Sequence, residues 1–578
     1  MRHLTKTIGA CAAAMAAAMV MTPSRAEACG GTFCDGGVPG PMPVDQTGEN
    51  VIFVMGGDKA EVHIQISYDP NTNAEKFAWM IPLTAVPEFA VGSQPLFDSV
   101  LAATVPLYGV TTTFESCGEQ ALSSGGSNLT APAGDEGESN GASDSSDPSD
   151  GGPDVLLRQT VGAFDVVVLQ DTELAPIQMW LENAGFNWDP NAAPILQQYL
   201  DEGNVIAALK LTTGVGLQDV HPITLTYDSN ETCFPLRLTR IAAVDDMDIR
   251  VFVLGADRAA PTNYRHVLVN PLKLDWLNFA SNYKDVITHA VDATMADGRA
   301  FVTEYAGTSS VVGTSTITSF TWDGAPFAGL DPTQVVTTLN NQGLGACYDE
   351  FECTWNHPLV YGLLLEFLPP PNGVDPLQFY PYLENYAADI DVALWNDGAG
   401  FSAALQERVV DPGKHAQDLL IEWPYLTRMY TTISPAEMME DPIFHLNPDL
   451  EDVEQLRQAT NYVLCNGDSV MTLPDQREVY VPGGTVWPDI PGEEWWDEEV
   501  QTVALKGAPM TLVNNTAAIT RVLKEWNVSN SWPRETNDTT TGANDGEGCG
   551  CRSDVGAGGA LGLGLLTMIG MSGRRRRR

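Results

Sequence analysis

The chain has 578 residues and a formal net charge of −45 at pH 7, with 75 acidic against 30 basic residues. That balance argues against a nucleic-acid partner and against adsorption to anionic lipid, because both need clustered Lys and Arg. With 44% hydrophobic residues the chain still carries enough apolar surface to fold, and its length suits two to four domains.

Residues 1–28 have the three-part order of a secretory signal peptide. Arg2 and Lys6 come first, then an apolar run at 8–21, then small residues at Ala26 and Ala28. The run falls short of the roughly 20 apolar residues that a spanning helix needs. Cleavage after Ala28 by signal peptidase makes Cys29 the first mature residue. A lipoprotein is the alternative, but Ala26 stands where a lipobox carries a large aliphatic residue.

Nine of the ten cysteines survive that cleavage, and in an exported chain they read as disulfides. Cys29 with Cys34 and Cys347 with Cys353 are close enough to staple local loops, and Cys117 with Cys233 would close a long one. Cys465 is left over. Connectivity does not follow from sequence. Zinc is the rival reading, but no CxxC spacing or neighbouring histidine pair supports it.

Residues 29–265 read as a β-rich α+β domain. Strands are predicted over 51–55, 60–68 and 77–83. In the second, Val62, Ile64 and Ile66 alternate with Glu61, His63 and Gln65, which puts His63 on the face opposite the aliphatics, read as solvated. The turn at 69–73 is a poor calcium loop, since Ala74 replaces the required Gly and Met80 the bidentate Glu. Residues 118–153 are dominated by Ser, Gly, Asp and Glu and read as a disordered acidic loop inside the domain. Beyond it, strands over 155–169, helices over 173–183 and 191–202, and a strand over 205–211 predict mixed packing. Strands at 236–243 and 249–254 flank Asp245, Asp246 and Asp248. Those carboxylates read as a solvated hairpin tip, with a cation site as the alternative.

Residues 266–465 are predicted to be mainly helical, with candidates at 283–294, 332–341, 376–397, 401–409 and 415–430. Ser434-Pro435-Ala436-Glu437 has the form of a capping box opening a further helix. Residues 466–532 read as short strands, including 503–505 and 510–513, and 533–548 as a flexible spacer.

The tail, 549–578, opens on Cys549-Gly550-Cys551. An uncharged segment follows at 555–572, and arginines fill 574–578. As a helix the segment is about 27 Å long, just enough to cross a hydrocarbon core, with the arginines held on the cytoplasmic side. These pieces resemble the MYXO-CTERM class of bacterial sorting tails. The resemblance implies retention at the inner membrane, cleavage near the Cys motif by a sorting protease, and passage to the cell surface. It makes Cys549 or Cys551 the processed residue. The alternative is a plain single-pass anchor.

The stretches 28–35 (ACGGTFCD), 43–49 (PVDQTGE), 77–83 (FAWMIPL), 235–255 and 425–450 resemble the domain-of-unknown-function 2330 family. The family implies an exported bacterial protein, carries no catalytic residues to transfer, and makes Cys29 and Cys34 resemble a structural pair.

Neither GxSxG nor HExxH occurs. Beyond the signal, His63, His221, His266, His289, His357, His415 and His445 are widely scattered, and none has a second His or a Cys at metal-ligand helical spacing. His266 and His357 are the two to inspect, with hydrogen-bonded structural roles expected. No catalytic, cofactor or metal residue is assigned, although the charge is compatible with a divalent cation. The expected function is a surface-anchored, non-catalytic binding or structural role in the cell envelope. The alternative is an exported hydrolase whose site is assembled from distant residues.

Overall fold

The computed structural model describes residues 32–34, 46–57, 59–68, 77–116, 153–183, 192–212, 220–227, 235–241, 243–348 and 352–534. The chain divides into Met1–Ser531 and Trp532–Arg578, and of the second unit only 532–534 are described. The signal peptide with Ala28, Cys29, Cys117, Cys233, the turn at 69–73, all of the acidic loop but Pro153, most of the spacer and the tail with Cys549 and Cys551 lie outside the described residues.

A ten-stranded sheet runs through the first unit. Its order is Met510–Asn514, Asp497–Thr502, Arg265–Val269, Ala300–Thr308, Tyr425–Ile433, Ala243–Gly255, Gln46–Val54, Ala60–Tyr68, Ile223–Tyr227 and Glu88–Val91. Neighbours are antiparallel except at two places, where Arg265–Val269 lies parallel to Ala300–Thr308 and Ala243–Gly255 parallel to Gln46–Val54. The central strands are apolar at successive positions because both faces are covered. Val51, Phe53, Val62, Ile64, Val251 and Val253 face a five-stranded antiparallel sheet, meeting Ile81, Leu83, Val166, Val168, Ala207 and Leu209. That second sheet is ordered Thr32–Cys34, Phe77–Leu83, Val205–Leu211, Phe164–Gln170, Asp154–Val161. Helices Leu174–Asn183 and Ala193–Asp201 close its outer face through Ile177, Leu181, Leu196 and Leu200. On the far side of the large sheet, Ile52, Val54, Phe252 and Leu254 pack under helices Gln94–Thr104 and Asp411–Glu422. The protein is thus an α+β fold built in layers of helix, sheet, sheet and helix.

Two satellites complete it. Residues between Trp322 and Val410 form a helical cluster with its own core around Phe327, Leu363, Trp395 and Phe401. A four-stranded sheet, Glu478–Val481, Ser469–Thr472, Leu456–Val463 and Leu107–Phe114, packs with helix Thr516–Ser529.

The structure departs from the sequence expectations at several elements. Residues 425–433 form a central strand and not a continuation of the preceding helix, which ends at Glu422 ahead of Pro424. A residue before proline is pushed out of the helical region, and the β-branched and aromatic run that follows suits a buried strand. Asp245, Asp246 and Asp248 are not a hairpin tip. They lie within the single strand Ala243–Gly255, where Asp246 has φ 53° and the register slips between Ala243 and Asp248, the mark of a bulge. Residues 236–239 are a helical turn. At Ser434 the Glu437 carboxylate does accept from the Ser434 N–H at 2.8 Å, but no helix follows, because Asp441-Pro442 arrives too soon. Residues 503–505 follow the Asp497–Thr502 strand instead of forming one.

Candidate metal centre

The alternation in strand Ala60–Tyr68 is the one the sequence implies: Val62 and Ile64 enter the inter-sheet core, and His63 takes the other face. That face is not solvated. His63 is 1% exposed, because helix Asp411–Glu422 lies across it. The helix seats there through Ala416, Leu419 and Leu420, an i, i+3, i+4 stripe. Gly413 allows a close approach at its N-terminal end, where an added Cβ would sit 2.9 Å from the Ile317 carbonyl. His415, on the flank of that stripe, reaches back over the sheet.

The consequence is a convergence of three side chains separated by 354 residues. His63 Nε2 lies 2.6 Å from Glu61 Oε1, and His415 Nε2 lies 2.6 Å from the same oxygen. The two rings are stacked, 6.1 Å between centroids and 19° between planes. On the neighbouring strand Ile223–Tyr227, Thr224 stands directly opposite His63, and its Oγ1 lies 3.1 Å from His63 Nδ1. Burial alone would raise the Glu61 carboxyl, but hydrogen bonds and positive charge from His415 and His63 outweigh it and hold the group at about 2. The same contact raises His415 against its burial, helped by the field of Asp418 and Glu422. Among the described residues this is the one group of three or more His, Cys, Asp or Glu whose ligand atoms all lie within 4.8 Å of one another.

Four of the remaining histidines are hydrogen-bonded within the fold, while the exposed His289 packs its ring against Trp496, 4.3 Å between centroids. His266 places Nδ1 3.1 Å from Gln501 Oε1 and Nε2 2.9 Å from Thr303 Oγ1. His357 caps helix Pro358–Phe367, its Nδ1 accepting from the Leu359 N–H at 3.2 Å. His221 accepts from the Ala163 N–H on Nε2 and lies 2.8 Å from the Pro222 carbonyl on Nδ1. His445 bridges Thr262 Oγ1 and the Ala504 carbonyl. Burial pushes His221, His266 and His357 down to about 4, so they are neutral donors and acceptors at pH 7.

Other polar clusters are saturated by partners of their own. Asp441 accepts from Tyr199 Oη and from Arg237 N and Nε, while Arg237 forks onto both oxygens of Glu202. In the Asp245–Asp248 stretch, Asp248 is paired with Lys284 at 2.9 Å and Arg250 at 3.0 Å and accepts from Tyr430 Oη, and Asp246 pairs with Ser434. Asp246 and Asp248 are held by separate partners, and among the described residues the stretch supplies no group of three ligand atoms within 4.8 Å of one another. A depression of about 380 Å³ beside Asp154, Asp171, Leu200 and Asn204 holds no histidine or cysteine.

Of the cysteines expected in disulfides, Cys347 and Cys353 are bonded to each other, facing across the ribbon Gly345–Tyr348 and Glu352–Trp355. Cys34 closes the strand Thr32–Cys34. Cys465 is not left over: it is disulfide-bonded, and its backbone N–H donates to Glu115 at 2.7 Å.

Residues 23–340 match the family described as "Uncharacterized protein conserved in bacteria (DUF2330)". The match spans more than half of the chain, and the protein belongs to that family of bacterial proteins. It takes in the Ala60–Tyr68 strand with Glu61 and His63 but stops short of His415. No curated protein and no solved structure matches the chain.

Proposed function

We propose that the protein is exported and held in the bacterial cell envelope, at the outer surface once its tail has been processed, where it serves as a non-catalytic binding or structural body. One observation carries the reading: every cysteine whose side chain is described, Cys347, Cys353 and Cys465, is in a disulfide. Such bonds persist in oxidising compartments and are rare in the bacterial cytosol. The signal-like residues 1–28, the sorting-type tail and the strongly acidic body agree with it. Among the described residues no helix is long and apolar enough to cross a membrane, so anchoring rests on 555–572, which lie outside them. The buried, hydrogen-bonded histidines support a non-catalytic role.

The rival reading, an exported hydrolase, would use the convergence of Glu61, His63 and His415. Among the described residues only Glu61, His63 and His415 bring imidazoles against a carboxylate. Fractionation of native cells with mass mapping of both termini tests export. Expected is an envelope-associated chain that begins at Cys29, lacks the residues beyond the Cys549–Cys551 pair, and has no free thiol at Cys347 and Cys353. A full-length cytosolic chain with reduced thiols ends the proposal.

A further inference from the structure

We propose that Glu61, His63 and His415 form a binding site for one divalent transition-metal ion of the zinc type, with at least one coordination position left to water. The inference concerns the folded body alone and holds wherever the protein resides.

The donor set selects the ion. Two imidazole nitrogens and one carboxylate suit zinc and its first-row neighbours, whereas calcium and magnesium take shells of oxygen. The geometry selects the place. Both Nε2 atoms and Oε1 converge on one point, with N···O separations of 2.6 Å. Metal–ligand bonds of about 2.0–2.1 Å place tetrahedral ligands roughly 3.4 Å apart, so each contact has to open by less than about 1 Å. His415 has the freedom to give, because its side chain is 48% exposed, while His63 and Glu61 are held by the sheet at 2% and 14%. A rigid pair from one strand and an adjustable third ligand from a helix describe a site that closes on an ion.

The surroundings supply what a bound metal needs. A ligating histidine donates its other N–H to a neighbour that fixes ring and tautomer. Thr224 Oγ1 is in place to accept from His63 Nδ1–H, which frees the Nε2 lone pair for the ion. Asp418 and Glu422, on the helix that carries His415, add negative field. The half-exposed side of the site faces solvent through His415, so water completes the shell. The competing account is that Glu61 only ties helix to sheet by two hydrogen bonds. It requires no metal affinity, and it predicts that loss of His415 changes stability and nothing else.

The test uses the untagged full body, stripped with chelator and titrated by calorimetry with Zn2+ and, separately, Ca2+. Expected is a single Zn2+ site saturating at one equivalent, no matching Ca2+ site, and a rise in thermal midpoint with Zn2+. Co2+ in place of Zn2+ should give ligand-field absorption that His415→Ala abolishes. Thr224→Val, which keeps shape and removes only the supporting hydroxyl, should weaken Zn2+ about 10–100-fold. Glu61→Gln should weaken it more. Thermal melts of the metal-free variants establish that each is folded. Absence of stoichiometric Zn2+ binding by the folded wild type overturns the proposal. So does wild-type Zn2+ affinity in His415→Ala and Glu61→Gln, which would put the ion elsewhere on the acidic surface.

Discussion

Arg428 shows how much one side chain is asked to do here. It is 4% exposed on the central strand Tyr425–Ile433 and pairs with Glu304, 1% exposed, on the neighbouring strand Ala300–Thr308. Its Nη1 donates to the Leu101 carbonyl at 3.0 Å and to Thr104 Oγ1 at 3.3 Å, in the last turn of helix Gln94–Thr104. One guanidinium therefore satisfies a buried carboxylate and the negative end of a helix together. Glu304→Gln leaves that cation without its counter-charge in the core, and the expected loss is about 3–5 kcal/mol of stability. Urea unfolding of the variant measures it, and a change within a few tenths of a kcal/mol would mean the pair is not buried as described. The same scale separates His63 from its sequence reading. Its face was legible from alternation, but its burial was not, because burial depends on a helix about 350 residues away.

Among the elements, the strand Leu107–Phe114 has the most consequential partner. It runs parallel to Leu456–Val463 with Phe114 opposite Val463, and Glu115 continues the contact onto Val463 and Cys465. Cys117 is the next cysteine along the chain, two residues beyond Glu115. The expected partner of Cys465 is therefore Cys117, which the sequence alone left free to pair with Cys233. A non-reduced peptide map should contain the Cys117–Cys465 cross-link, and recovery of Cys465 bound to any other cysteine rejects it. The helix run Ala399–Glu422 shows a second element-level effect. It passes through a π-helical stretch at Gln406–Val410 just before Pro412, where the missing N–H would break a regular ladder. The sequence shows two helices there, and the structure joins them, carrying His415 onto the sheet.

At the scale of the whole molecule, burial of neutral histidines makes stability depend on pH. His221, His266 and His357 have ordinary values near 6.5 when unfolded and about 4 in the fold. Between those limits the unfolded chain binds protons that the folded chain refuses. Stability therefore falls as pH drops from about 6.5 towards 4 and levels off below, by on the order of a few kcal/mol per histidine. Asp292, raised to about 6 by burial and by Glu437 and Asp246, acts in the opposite sense but is exposed. The urea midpoint should be lower at pH 5.5 than at pH 7. His357→Asn, which keeps a capping side chain on the helix and removes one titrating ring, should flatten that dependence. An unchanged slope in this variant would refute the buried neutral state of His357.

Local pattern accounts for what the sequence determined by itself. Strands at 60–68, 77–83 and 205–211 and helices at 174–183 and 193–201 follow from period and turn chemistry, which are properties of neighbouring residues. Spacing put Cys347 within reach of Cys353 and left the bond itself to the structure, while family membership follows from short stretches of residues. The tertiary structure alone decided that strands from residues 46, 243 and 425 lie side by side, that an acidic run is a bulge and not a tip, and that Glu61, His63 and His415 meet. No local signal encodes these, because each depends on which faces bury one another after the chain has crossed itself. The candidate site lacks a motif for the same reason: two of its residues share a strand, and the third arrives only with the helix that covers it.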